Sequence, residues 1–303
     1  MTTSELERNL AAAQSSNTRR AYRAAWQSFL GWVGSAAALP ADPETVASYL
    51  SHLGARRAHV TLRCHAAAIA DRHREAGFSP PTAHPLVRQV LAGHARRKGT
   101  QAEQAAPLGA DEYVSVCAFA CQPRITRGGV LETETQARRR GEQDIALIGL
   151  MRDAMLRRSE AAALLWGNIV ELPDGSGRVQ ITRSKTDRKA EGTYLWVSPD
   201  VTEALGRWRA RSRPSARDPI FRLAARSICK RIAAVCRQAG LQGQYSGHSP
   251  RVGMAQDLAK AGLSLPTIMQ AGRWESPRMV SLYTRQITAA EGAVAQWYRA
   301  KNV

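Results

Sequence analysis

The stretch from Tyr245 to Arg285 brings together four different side-chain types able to hold an anion, in His248, Arg251, Trp274 and Tyr283. An imidazole, a guanidinium, an indole N–H and a phenol can converge on one anion of phosphate size, since each presents a hydrogen-bond donor. Taken singly, each has a plainer reading. A Tyr or Trp on a short helix is usually core, and a lone His is usually an internally satisfied packing residue. Their combination in one stretch is what points to a site.

The elements that position them can be read from Ser249-Pro250, Ser264-Leu265-Pro266 and Ser276-Pro277. A serine N-cap accepts a bond from an orphan helix N–H, and a proline in the first turn loses nothing by lacking its own. Ala261-Gly262 and Ala271-Gly272 supply stops, because glycine takes the left-handed conformation that ends a helix. The pattern predicts three short helices, near 250–260, 265–270 and 277–286. His248 and Arg251 then straddle the start of the first, where backbone N–H groups and the dipole favour an anion. Trp274 falls in the turn between the second and third, and Tyr283 lies on the third with Arg285 close behind.

The 303 residues carry 43 Lys and Arg against 25 Asp and Glu, a formal charge of +18. That excess favours a polyanionic partner, nucleic acid ahead of an anionic membrane surface, over a basic surface kept for solubility. The length suits two domains better than one. A hydrophobic content of 44% argues against general disorder. No apolar run approaches the roughly eighteen residues of a membrane span, and the polar N-terminus lacks a signal-peptide core. Cys64, Cys117, Cys121, Cys229 and Cys236 form no CxxC pair. They read as reduced, structural thiols of a cytoplasmic protein, with no zinc site.

Residues 1–16 read as a flexible arm. A helix begins at Asn17 or Thr18, with Tyr22, Trp26, Phe29, Leu30 and Val33 on one face and Gly34 as its stop. Arg19, Arg20 and Arg23 gather in its first turns, where they oppose the dipole and suit phosphate binding. A second helix starts at Asp42-Pro43-Glu44 and stops at Gly54; a third covers about 58–76; a fourth, near 85–97, leads into Arg96, Arg97 and Lys98. Six of the seven histidines lie here without ligand spacing and read as packing or surface residues. Residues 99–108 are polar and alanine-rich, the best linker candidate. Beyond it, 111–121 and 137–155 read as helices, 122–136 as a loop without an assignable role, and Ser159 as the cap of a helix that buries Ala162, Leu165 and Trp166. Residues 179–183 and 193–197 alternate like strands joined by RSKTDRKAEG, whose tip carries Lys185 and its competitor Lys189. Helices are expected over 200–213, 227–239 and 289–299, the last bearing an apolar strip with Trp297 and Tyr298.

The run SGHSPRVG, then DLAKAGLSLPTIMQAGRW, then a tyrosine nine residues after the tryptophan, resembles the C-terminal catalytic segment of the tyrosine recombinases, the phage integrase family. It is especially similar to the Cre branch, which has tryptophan where most of the family has histidine. The likeness is dense here and weaker but continuous from about Ser16. It implies a mainly α fold with a small β-sheet (α+β). A SAM-like helical core-binding domain would span 17–98, a linker 99–108 and a catalytic domain 109–303, the two domains closing as a clamp around DNA. It aligns Leu156–Glu160 with the family's first-arginine motif, making Arg157 the active-site arginine and Glu160 an acidic residue that orients a neighbour without touching DNA. A shift of one residue would give Arg158 the role of Arg157. Lys185 is implied as general acid.

The chemistry that follows is phosphoryl transfer to a phenol. Arg157 and Arg251 would fork onto the non-bridging oxygens, with His248 and the Trp274 N–H as further donors. Tyr283 would be the nucleophile. Its ordinary pKa, about 10, puts the phenolate roughly 4 kcal/mol away at neutral pH, a cost that arginines lower and that His248 relieves by taking the proton. Attack would form a 3′-phosphotyrosyl link and release a 5′-hydroxyl protonated by Lys185. Strand exchange would pass through a Holliday junction in a homotetramer on two DNA sites, with the C-terminal helix docked in trans. No metal or other cofactor is expected. The rival readings are a catalytically silent DNA-binding or architectural protein and a type IB topoisomerase-like DNA relaxer; RNA binding is more distant.

Overall fold

A computed structural model describes residues 5, 15–34, 38–100, 104–126, 128–182, 192–211, 213–290 and 293–301. Most of the arm, and Lys185 and Lys189 with their connecting segment, lie outside the described residues. The chain divides into two compact units, Met1–Gln104 and Ala105–Val303. The segment read as a linker is cut by that boundary. Its last residues belong to the second unit, where Ala106 N–H donates to Gln244 O (2.8 Å) and Leu108 N–H to Ser249 O (2.9 Å).

The first unit holds α1 (Ser16–Val33), α2 (Pro43–Arg56), α3 (His59–Glu75) and α4 (Pro85–Lys98), with a 3-10 turn at Pro81–Ala83. Ser15 caps α1 by accepting from Thr18 N–H at 3.1 Å, so the helix starts slightly earlier than its periodicity suggests. Phe29, Val46, Leu50, Leu62, Ile69 and Val87 form a single core, with Phe29 packed edge-on to Tyr49 at 5.1 Å. The histidines serve this packing. His73 Nε2 accepts from Ala41 N–H at 2.9 Å, which leaves Nδ1 to donate to Ile69 O at 2.7 Å. Gly54 is not a stop: α2 runs through it to Arg56. A Cβ there would come within 2.7 Å of the His94 ring, so the glycine permits close approach of α2 and α4. Arg19, Arg20, Arg23, Arg96, Arg97 and Lys98 are all exposed.

The second unit is built around α6 (Glu134–Asp153), preceded by α5 (Ala110–Phe119). Leu147, Ile148, Leu150 and Met151 are fully buried, because neighbours cover this helix on most sides. The short α7 (Arg158–Ala163) leads through a 3-10 turn into β1 (Ile169–Glu171), β2 (Gly177–Ile181) and β3 (Thr193–Val197). These strands form an antiparallel sheet in sequence order, with Val179 opposite both Ile169 and Leu195. Then follow α8 (Pro199–Ala210), α9 (Ala225–Gln238), α10 (Ser249–Lys260), α11 (Leu265–Gly272), α12 (Pro277–Ala290) and α13 (Ala293–Lys301). Alongside the main core, a separate cluster of Met155, Ala255, Ile268 and Val280 holds α10, α11 and α12 against the turn after α6.

The segment 122–136 has an anchor that its sequence hides. Ile125 pairs with Leu131, and Thr133 already caps α6. Buried Arg140 donates Nε and Nη2 to Glu132 (2.9 and 2.8 Å) and reaches the carbonyls of Ala120 and Gln122 (2.8 Å each). A buried arginine of α6, with Asp144 one turn along the same face at 3.7 Å, thus pins both ends of the loop.

Candidate active site

Three chain turns bring the cationic residues together. After α6 the backbone turns through Met155, which takes φ +44°, and Arg157 occupies the N-cap position of α7. Ser159 is therefore inside the helix and caps nothing. Capping falls to Glu160, whose carboxylate reaches back to Arg157 N–H at 2.9 Å and also accepts Arg157 Nη1 at 2.8 Å. Glu160 is 6% exposed. Burial pushes its pKa up, but the Arg273 charge and the bonds from Arg157 outweigh burial and hold the carboxyl below its ordinary value.

The second turn is the start of α10. His248 precedes it and Arg251 lies in its first turn, 3% exposed. Arg251 Nη1 donates to Met155 O at 2.5 Å and Nη2 donates to Gly272 O. A guanidinium carries five N–H donors, so these bonds orient the group and leave others for a ligand. Burial, then the charges of Arg157 and Arg273, push the Arg251 pKa down to about 9. A buried cation crowded by other cations is the electrostatic mark of a site built for an anion. His248 is open to solvent on one side; partial desolvation, then Arg158, Arg251 and Arg157, hold it below the ordinary histidine value. It is therefore neutral at pH 7 and able to accept a proton.

The third turn joins α11 to α12. The stop expected at Ala271-Gly272 falls one residue later: Gly272 is the last helical residue, and Arg273 takes the left-handed conformation at φ +54°. A Cβ on Gly272 would meet the Trp274 ring at 2.0 Å, so glycine lets the indole fold back over the helix end. The Trp274 ring lies under the Arg251 guanidinium at 4.4 Å and against the Tyr283 ring at 5.7 Å. Gln256 fixes this part of α12 by donating to Tyr283 O at 2.8 Å. Burial raises the Tyr283 pKa above 10, while Arg251 and Arg157 oppose the rise. Desolvation wins here: the arginines lower the cost of the phenolate, as expected, but by less than burial adds.

Arg157, Glu160, His248, Arg251, Trp274 and Tyr283 thus meet in one place, and Lys185 lies outside the described residues. Arg158, the alternative to Arg157, is exposed and its Nη1 donates to Cys229 Sγ at 3.3 Å, while its charge still acts on His248. Two participants were not anticipated. One is the Met155 carbonyl, a backbone feature with no sequence signal. The other is Arg273, whose Nη2 donates to Glu160 Oε2 at 2.9 Å and to Met155 O at 3.0 Å. Its clue was a charged residue wedged between a helix stop and Trp274.

The family model described as "Phage integrase family" matches residues 131–289, more than half of the chain. The chain belongs to the phage integrase family. It is accordingly a tyrosine-type site-specific recombinase, an enzyme that cleaves and rejoins DNA. Among relatives of this family, the recombinase Cre of Escherichia phage P1 is 28% identical over 287 residues, covering 85% of this chain and 80% of that protein. An integrase/recombinase XerD homolog of Selenomonas ruminantium is 26% identical, covering 92% and 84%. Solved recombinases share the fold. XerH bound to a palindromic difH substrate, in a post-cleavage complex, aligns with a TM-score of 0.62 at 15% identity, covering 83% of this chain and 72% of that one. A lambda integrase (75–356) dimer bound to a COC′ core site aligns at 0.60 with 16% identity, covering 92% of each.

Proposed function

We propose that Tyr283 is the nucleophile of this recombinase and that Arg157, Arg251 and His248 form the cradle for the scissile phosphate. The observation that carries the reading is the Trp274 ring between the Arg251 guanidinium at 4.4 Å and the tilted Tyr283 ring at 5.7 Å, with Arg157 close enough for its charge to act on the same phenol. The Tyr283 oxygen attacks phosphorus, and its proton passes to neutral His248. The bond from phosphorus to O5′ breaks, leaving a 3′-phosphotyrosyl link and a 5′-oxygen that takes a proton from Lys185. Glu160 holds Arg157 in place throughout. Bound phosphate brings negative charge beside Tyr283 and does not ease its ionisation, so the phenol gives its proton to His248 only as the bond to phosphorus forms. A second 5′-hydroxyl reverses the step and rejoins DNA without ATP.

On this reading the first unit is the core-binding domain, and its exposed Arg19, Arg20, Arg23, Arg96, Arg97 and Lys98 contact DNA phosphates. Four subunits act on two sites through a Holliday junction, with α13 docked on a neighbour. Exposed Val294, Trp297 and Tyr298, at 71%, 52% and 58%, support that docking. The protein works in the cytoplasm, on the nucleoid. The test is a nicked suicide substrate in the presence of EDTA. Wild type should accumulate a covalent protein–DNA adduct and Tyr283→Phe should bind the same DNA without forming one. An adduct from Tyr283→Phe would remove Tyr283 from the role.

A further inference from the structure

Arg273 joins the two halves of the phosphate cradle. Arg157 is anchored by Glu160, and Arg251 by the carbonyl of Met155. A single atom, Arg273 Nη2, donates to both anchors, at 2.9 Å to Glu160 Oε2 and 3.0 Å to Met155 O. We infer that Arg273 is a positioning residue for DNA cleavage, a clip that fixes the spacing between the Arg157 and Arg251 guanidiniums so that both reach the same phosphate.

The residue is held against its own local preferences. It sits at φ +54°, where glycine would be unstrained and an L side chain is not. Its side chain is 10% exposed, and its buried Nε and Nη1 have no hydrogen-bond partner among the described residues. Burial, and the repulsion of Arg157, disfavour its charge; Glu160 opposes them. A strained, half-satisfied buried arginine is a poor choice for stability and a reasonable one for geometry at a reacting centre. It follows Gly272, whose carbonyl also holds Arg251, so the clip and the Arg251 anchor move as one piece.

The inference rests on the roles proposed for Tyr283, Arg157 and Arg251. Its test separates cleavage from folding and from DNA affinity. Arg273→Gly relieves the backbone strain and removes the clip. Glu160 is then left with Arg157 alone, so the unfolding midpoint should fall by several degrees; below that midpoint, where the variant is folded, DNA affinity should hold within about twofold while single-turnover cleavage at saturating DNA falls roughly 10–100-fold. Arg273→Lys, which keeps one donor able to reach both acceptors, should recover part of that loss. Arg273→Met keeps a long side chain and should cleave as poorly as the glycine variant, which carries the test if the glycine variant misfolds. Cleavage within twofold of wild type in whichever of these two folds, or a fall matched by an equal loss of DNA affinity, would overturn the clip. An adduct from Tyr283→Phe would instead bring down the site reading beneath it.

Discussion

Replacing Glu160 by glutamine keeps the side chain's shape and removes its charge from the middle of the arginine cluster. The carboxylate accepts Arg157 N–H at 2.9 Å, Arg157 Nη1 at 2.8 Å and Arg273 Nη2 at 2.9 Å, and it is 6% exposed. A glutamine offers one acceptor oxygen and must aim its amide donors at one of the two guanidiniums. Removing one partner of a buried ion pair costs roughly 3–5 kcal/mol; the surviving oxygen argues for the lower end, about 3 kcal/mol. For a unit of this size that corresponds to a fall of roughly 6–12 °C in the unfolding midpoint at neutral pH. The pH dependence has a definite sign. The folded-state pKa of Glu160 lies below its ordinary 4.5, so its contribution is complete above the unfolded value and lost as pH falls through the folded one. The gap between wild type and Glu160→Gln, followed by calorimetry, should therefore be full at pH 7 and close in acid. A midpoint within about 2 °C of wild type at pH 7, or a gap unchanged at low pH, would refute the assignment of Glu160 as the charge that holds the cluster together. Saturating DNA should stabilise the variant more than wild type, because a phosphate supplies the missing negative charge.

Two further expectations follow from other parts of the second unit. If neutral His248 takes the phenol proton, single-turnover cleavage should be flat near pH 7 and fall only below 6.5, as pH passes through the depressed histidine value. His248→Gln should lose that acid limb, and a limb at or above the ordinary value would count against the role. Arg140→Met should loosen the loop over 122–132 and cost roughly 1–3 kcal/mol, since part-buried Glu132 keeps only Arg124 at 3.6 Å and the carbonyls of Ala120 and Gln122 lose their donor; hydrogen exchange in that loop would rise, and unchanged protection would show that Arg140 is not its anchor.

What the sequence made legible was local chemistry with a strong backbone signature. Ser264 caps α11 by accepting from Thr267 N–H, Gly262 turns left-handed after α10, and 193–197 forms a strand, each as its residue types require. The mistakes arose where tertiary contact overrides local preference. Gly54 reads as a stop, yet it serves the approach of His94 from a distant helix. Ser159 reads as a cap, yet the pull of Arg157 and Arg273 on Glu160 sets the helix start two residues earlier than a serine cap would. β1 is three residues long and exists only by pairing with β2, so no periodicity announces it. The cradle was legible as residue types and a resemblance. Its internal order, with two arginines sharing the Met155 carbonyl and an indole between guanidinium and phenol, depends on backbone atoms that no side-chain pattern encodes.

Mass-spectrometric mapping of the trapped adduct asks most directly which oxygen joins the DNA. After nuclease and protease digestion, the nucleotide remnant should sit on the peptide containing Tyr283, linked through a 3′-phosphate. A remnant on Tyr245, Tyr298 or any other residue, or one linked through a 5′-phosphate, would contradict the account.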